Sequence, residues 1–147
     1  MPLFIVNVEA AIFKKNQWLI IKRSEKEEHA GGLLSLVGGK VDIEGNTVNI
    51  LERTIKREIF EEVDIKVKEE VSYLLSTSFV TDTQEHVVNI SFLCEYESGE
   101  AIPKSPDEVA AVYWLTAEQI YNHPNAPDYL KASMKQAEKF KNTHIIN

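Results

Sequence analysis

Hydrophobic and polar positions change period several times along this chain. Leu3 to Phe13 and Trp18 to Lys22 are rich in Val, Ile and Phe, and the polar Lys14-Lys15-Asn16-Gln17 between them predicts a hairpin turn. A charged loop, Ser24 to Gly32, leads to the short apolar run Leu33 to Val37, which ends at Gly38-Gly39, a doublet suited to a turn that a side chain would obstruct. Lys40-Val41-Asp42 resumes extended structure. From Thr47 the spacing lengthens: Val48, Leu51, Ile55, Ile59 and Val63 recur every three or four residues, the stripe of an amphipathic helix, with Asn46 or Thr47 as its cap. Ile65 to Val67, Val71 to Val80, Val87 to Tyr96 and Ala110 to Leu115 return to strand character, and Thr81-Asp82-Thr83-Gln84 forms a turn. Thr116-Ala117-Glu118-Gln119 has capping-box spacing and opens a short helix that stops before Pro124. A last helix, Asp128 to Lys141, is expected to bury Tyr129, Leu130, Met134, Ala137 and Phe140. Strands, helix, strands and helices in that order predict an α+β or α/β architecture, a mixed sheet covered by helices.

Composition narrows this picture. A chain of 147 residues with 44% apolar content is too apolar for disorder and sized for one core, so a single domain over residues 1–147 is expected. The net charge of -7 opposes binding to nucleic acid or an anionic membrane, but a small phosphate ligand is compatible with it if cations are placed locally. Cys94 stands alone, which removes any disulfide framework or cysteine-based zinc cluster, and its place beside Ile90 and Phe92 makes it a small core residue. The apolar N-terminal run has no basic leader or small-residue cleavage site and is broken by Glu9, and no stretch is long enough to span a bilayer. A soluble cytoplasmic protein is expected.

The chemistry is concentrated on the central helix. At about 100° per residue, Glu58, Glu61 and Glu62 fall within an arc of roughly 100°, and Glu62 lies between Leu51 and Ile55 in the sector that should face the core. A buried carboxylate is costly unless a cation or several donors replace its lost water. Clustered carboxylates of this kind suit Mg²⁺ or Mn²⁺, hard ions that also grip phosphate oxygens. The competing reading is an exposed charged face steadied by an Arg57 to Glu61 pair.

These residues, with Gly38-Gly39-Lys40-Val41-Asp42 before them, resemble the Nudix hydrolase signature of MutT-like proteins, G-x5-E-x7-R-E-U-x-E-E-x-G-U, where U is aliphatic. The matching C-terminal half is Arg57-Glu58-Ile59-Phe60-Glu61-Glu62-Val63-Asp64-Ile65. The resemblance implies a mixed sheet between helices over nearly the whole chain. It implies hydrolysis of a nucleoside diphosphate linked to another group, with Mg²⁺ or Mn²⁺ as cofactor, and a homodimer is a reasonable expectation from it. Carried across by position, it implies that Glu61 and Glu62 ligate metal, that Glu58 joins them or acts as base, that Arg57 orients them, and that the Gly38 carbonyl completes the site. Glu108, ahead of the last strand, fits a further glutamate of the family, as base or extra ligand; Glu95, Glu97 and Glu85 are its rivals.

The match has departures. Arg57 stands 18 positions after Gly39 where the signature has 14, so four residues are inserted before the helix. The glutamate expected eight positions before Arg57 is Asn49, leaving Glu52 or Glu44 to replace its contact; Asp64 replaces the closing glycine and Val37 a common proline. They keep open a nucleotide-binding or sensor module without hydrolysis, or another chemistry on the same fold. Arg23 and Lys40 are candidate phosphate contacts, while Lys22, like Arg23, also suits a merely solvated strand end. Trp114 and Phe79 are assigned to core packing rather than base stacking, and Tyr73 and Tyr129 suit either role. The four histidines have no metal-ligand spacing, although His29 near Arg23 suits the mouth of a site.

Overall fold

The computed structural model describes residues 2–27 and 29–144, and in it the alternating N-terminal segment becomes the centre of a sheet. Strand β1 (Ile5–Lys14) and strand β2 (Gln17–Arg23) form the expected hairpin, its turn containing Lys15 at φ 58. Alternation sends Val8, Ala10 and Ile12 to one face of β1 and Ala11 and Phe13 to the other, and both sets are buried. A strand covered on both sides has to be central.

Among the described residues, eight strands make up the sheet. One edge of β1 runs parallel to β7 (His86–Ser98), from Ile5 opposite Val87 to Phe13 opposite Glu95. Its other edge is shared: β2 pairs with the Phe13 end, and β4 (Val37–Lys40) pairs with Asn7 to Ala10. The short β3 (Leu34–Ser35) joins β2, as does β8 (Val109–Thr116), while β5 (Lys66–Val67) and β6 (Ser72–Val80) both pair with β7.

Helix α1 (Ile50–Val63) lays Ile55, Ile59 and Val63 on the face that carries Val8, Ala10 and Ile12. On the opposite face, α2 (Ala117–Tyr121) and α3 (Asp128–His144) contribute Ile120, Leu130, Met134 and Ala137. The result is the expected mixed sheet between helices. The capping box is formed, with the Thr116 hydroxyl accepting from the Gln119 amide at 3.2 Å and the Gln119 side chain accepting from the Thr116 amide at 2.8 Å. Cys94 is buried beside Phe92, and burial pushes its thiol up to about 12, so it is an inert core group. No helix among the described residues is long and apolar enough to cross a membrane.

Three expectations are corrected. Helix α1 starts at Ile50, and Val48 is 77% exposed in the loop before it. Neither Asn46 nor Thr47 caps it: the Thr47 hydroxyl donates to Glu44 at 3.3 Å, and the cap position belongs to Asn49, left-handed at φ 57 with no side-chain cap bond. The preceding loop is held instead by Arg53, which donates to the Val48 carbonyl at 3.0 Å and pairs with Glu44 at 2.8 Å. Phe79 and Tyr129, placed in the core by their spacing, are 52% and 60% exposed, and Trp114 is half-buried, edge-on to Tyr96. Phe79 stands near the turn end of β6, an edge strand that pairs with β7 alone.

Candidate active site

The glycine doublet brings strand backbone against helix α1. In β4, Gly39 lies opposite Val8 and Gly38 opposite Glu9. A Cβ on Gly38 would lie 2.9 Å from the Glu9 Cα and closer still to the Val8 carbonyl; one on Gly39 would stand 2.5 Å from Glu58 Oε1. The first glycine therefore permits strand pairing, and the second leaves room for a carboxyl group from the helix. The Gly38 amide also donates to Glu62 Oε1, at 3.4 Å.

Glu62 is 7% exposed, on the buried side of α1 as the helical wheel predicts. Burial pushes its carboxyl up to about 8, assisted by a hydrogen bond with the Glu108 carboxyl and by the charges of Glu58 and Glu108; the Gly38 amide pulls the other way. Glu58, half-buried against Gly39, is also raised, first by burial and then by Glu61, with Arg57 opposing. Glu61 is more open, with 56% of its side chain exposed.

Arg57 organises the outer side of the cluster, contacting Asp42 at 3.3 Å, Glu58 at 3.5 Å and Glu61 at 3.8 Å. Its additional partner is thus Asp42, not Glu44, which is engaged with Arg53, and not Glu52. The Arg57 to Glu61 pair of the surface-face reading does exist, but that reading does not explain the burial of Glu62.

Glu108 reaches this cluster because its loop is sewn to the end of α1. The Ile102 and Lys104 amides donate to the carbonyls of Val63 and Glu62 at 3.0 and 2.9 Å, and the Ser105 hydroxyl donates to Glu61 at 3.1 Å. These bonds satisfy helix-terminal carbonyls that have no partner within the helix. Asp64 closes α1 in the left-handed region at φ 59, where its amide donates to Phe60 at 3.1 Å and its carboxylate pairs with Lys104 at 3.2 Å. The rival glutamates lie elsewhere: Glu95 pairs with Lys68 at 2.8 Å, Glu97 with Lys66 at 3.7 Å, and Glu85 accepts from Thr83 in the β6–β7 turn at 3.2 Å.

Among the described residues, no three metal-binding side chains already enclose an ion-sized space. The donor set nonetheless fits a divalent cation. Glu62 and Glu108 are carboxyls in hydrogen-bond contact, Glu58 adds charge beside them, and among the described residues no Lys or Arg forms an ion pair with Glu62. A hard cation that retains waters relieves that repulsion without needing a closed cage.

Of the two phosphate candidates, Arg23 is partly engaged, donating to the His29 carbonyl at 3.0 Å and pairing with Glu27 at 3.6 Å. Lys40 is exposed at the end of β4, opposite Asn7. The α2/α3 face of the sheet also has a polar end that the sequence reading missed. Asn7 donates to Asn89 at 2.8 Å, and the buried Ser91 hydroxyl donates to Glu9 at 2.8 Å. Tyr129 is near enough to feel both charges there: burial chiefly raises its hydroxyl, Arg23 lowers it and Glu9 raises it. The sequence signal was Asn7 and Glu9 interrupting an apolar strand two residues apart.

Comparison with known proteins agrees with this fold. A NUDIX domain family model matches residues 3–136. The NAD-capped RNA hydrolase NudC of Mannheimia succiniciproducens is 30% identical over 129 residues, which is 86% of this chain and 44% of that protein; the chain thus spans less than half of this relative's length. Among solved structures, the MutT NUDIX hydrolase from Burkholderia pseudomallei superposes with TM-score 0.76 at 28% identity, over 91% of this chain and 98% of the other. The NUDIX domain of Shewanella oneidensis NrtR, complexed with ADP ribose, superposes with TM-score 0.72 at 19% identity, over 95% and 89% of the two chains.

Proposed function

The chain belongs to the Nudix family, and from that premise we propose that it is a metal-dependent hydrolase of the diphosphate linkage in a nucleoside diphosphate joined to another group. The carrying observation is the buried Glu62 carboxyl, in contact with Glu108 and beside Glu58, with no ion pair to a basic side chain among the described residues. ADP ribose, the ligand in the similar Shewanella structure, belongs to the same substrate class. The charge of -7 favours a small nucleotide over a polyanion.

In this reading Glu58, Glu61 and Glu62, with the Gly38 carbonyl, hold Mg²⁺ or Mn²⁺. When bound, such an ion draws charge from the phosphate oxygens and acidifies water. Arg57 fixes the rotamers of Glu58 and Glu61 by charge-assisted contacts, with Asp42 fixing Arg57 in turn. Arg23 and Lys40 neutralise the substrate phosphates. Water attacks one phosphorus, the bond from that phosphorus to the bridging oxygen breaks, and a carboxylate takes the water proton. Glu58 and Glu108 are both placed for this role, Glu108 on the more exposed loop.

A non-hydrolytic binding module loses much of its motivation here, because Asp64 still closes α1 in a left-handed turn and Asp42 provides a partner for Arg57. The test is turnover of a panel of nucleoside diphosphate derivatives with Mg²⁺, comparing wild type with Glu61→Gln. Metal-dependent turnover should fall by about 10-fold or more in the variant. Tight binding of the panel with no product from wild type would favour the module instead.

A further inference from the structure

The polar end of the α2/α3 face contains a carboxylate that the hydrolytic chemistry does not use. Glu9 lies on β1 opposite Gly38 of β4 and Ser91 of β7, and its only hydrogen bond among the described residues comes from the Ser91 hydroxyl. One hydroxyl leaves most of the acceptor capacity of a carboxylate unused. Two residues along the same strands, Asn7 donates to Asn89, whose own amide nitrogen donates to no protein group among the described residues and is open to solvent. Acceptors and a donor are thus held side by side on rigid sheet backbone. Phe79, opposite Val87, belongs to the same sheet face and is half-exposed, and Tyr129 stands within electrostatic reach of Glu9. Polar groups of fixed order on a sheet face that also carries exposed aromatic rings suit a flat heterocycle better than a sugar diol, which offers no π-face.

We propose that Glu9 determines substrate specificity by accepting two adjacent N–H groups of a guanine-type base, while the Asn89 amide donates to the neighbouring carbonyl oxygen. The ring N–H and exocyclic amine of guanine match a carboxylate edge. Adenine turns a ring acceptor toward it and leaves the half-buried carboxylate less well satisfied, so a polar site of this kind discriminates against it. This inference rests on the nucleotide-hydrolase reading and narrows its substrate class to guanosine diphosphate derivatives.

The experiment measures binding of GMP, IMP and AMP by calorimetry to wild type and Glu9→Gln, beside kcat/KM for matched guanosine and adenosine diphosphate derivatives. Glutamine keeps an acceptor for Ser91 but puts a donor where the base presents its own. Wild type should bind GMP about 10–100-fold tighter than AMP, with IMP, which lacks the exocyclic amine, in between. Glu9→Gln should bring GMP down to the AMP level, with AMP affinity and melting temperature unchanged, which also shows that the variant is folded. Equal binding of GMP and AMP by wild type, no binding of either, or a preference that survives in Glu9→Gln overturns the proposal. A Glu9-dependent preference without turnover would leave it standing while removing the hydrolase reading, and turnover without preference would do the reverse.

Discussion

Glu62→Gln is expected to remove nearly all metal-dependent turnover and, in metal-free protein, to make the fold more stable. Both effects come from one placement. As a metal ligand, Glu62 should cost more than the roughly 10–100-fold that loss of an outer supporting contact costs. Without metal, it is a buried acid next to Glu108 and Glu58, with a weak bond from the Gly38 amide at 3.4 Å as its opposing influence. In the unfolded chain it titrates near 4.5, in the fold near 8. Between those values the folded protein holds a proton that the unfolded chain has released, so metal-free wild type loses stability as pH rises through this window and levels off above it. Glutamine has no such slope. The variant's advantage should be absent near pH 4 and reach about 1–3 kcal/mol by pH 8, read from urea midpoints in EDTA. Saturating Mg²⁺ should stabilise wild type alone and reverse the order, because a ligand stabilises only the state that binds it. A variant less stable than wild type at pH 8 in EDTA would show that the carboxylate is satisfied by the protein itself.

The two glycines should fail in opposite ways. In Gly38→Ala the new methyl group meets the backbone of β1 at Val8 and Glu9, which cannot yield without breaking the pairing. Overpacking of this kind costs about 1–3 kcal/mol or more, so the variant should lose stability first. In Gly39→Ala the atoms nearest the methyl group all belong to the Glu58 carboxyl, the far end of a flexible side chain. Glu58 can rotate away with little cost to the fold, but displacing a reacting group by an ångström costs about 10²-fold in rate. Denaturant midpoints and kcat for both variants separate the cases. Stability loss confined to Gly39→Ala would contradict the packing described here.

What the sequence disclosed depended on how local each feature is. Alternation through Val8, Ala10 and Ile12 marks a strand buried on one face, and Ala11 and Phe13 reveal the second buried face, so the layered architecture was readable. The inward direction of Glu62 followed from helical spacing alone, because its neighbours Ile55 and Ile59 fix which side of α1 is covered. The start of α1 was misread because Val48 happens to fit the period, while the left-handed Asn49 that ends the loop leaves no compositional trace. Asp42 as a partner of Arg57 was hidden for a different reason: the contact depends on the path of the loop between them. Phe79 and Tyr129 satisfied apolar spacing without having a layer to cover them. Glu9 was visible as an interruption, but its meaning required the register of β1 against β7, which brings Ser91 to it.

Anomalous diffraction from manganese-soaked crystals tests the metal-site reading most directly. An ion should lie between the Glu58 and Glu62 carboxylates within coordination distance of the Gly38 carbonyl, with Glu61 turned inward toward it. Manganese found only at surface carboxylates, with Glu62 still hydrogen-bonded to Glu108, would contradict it.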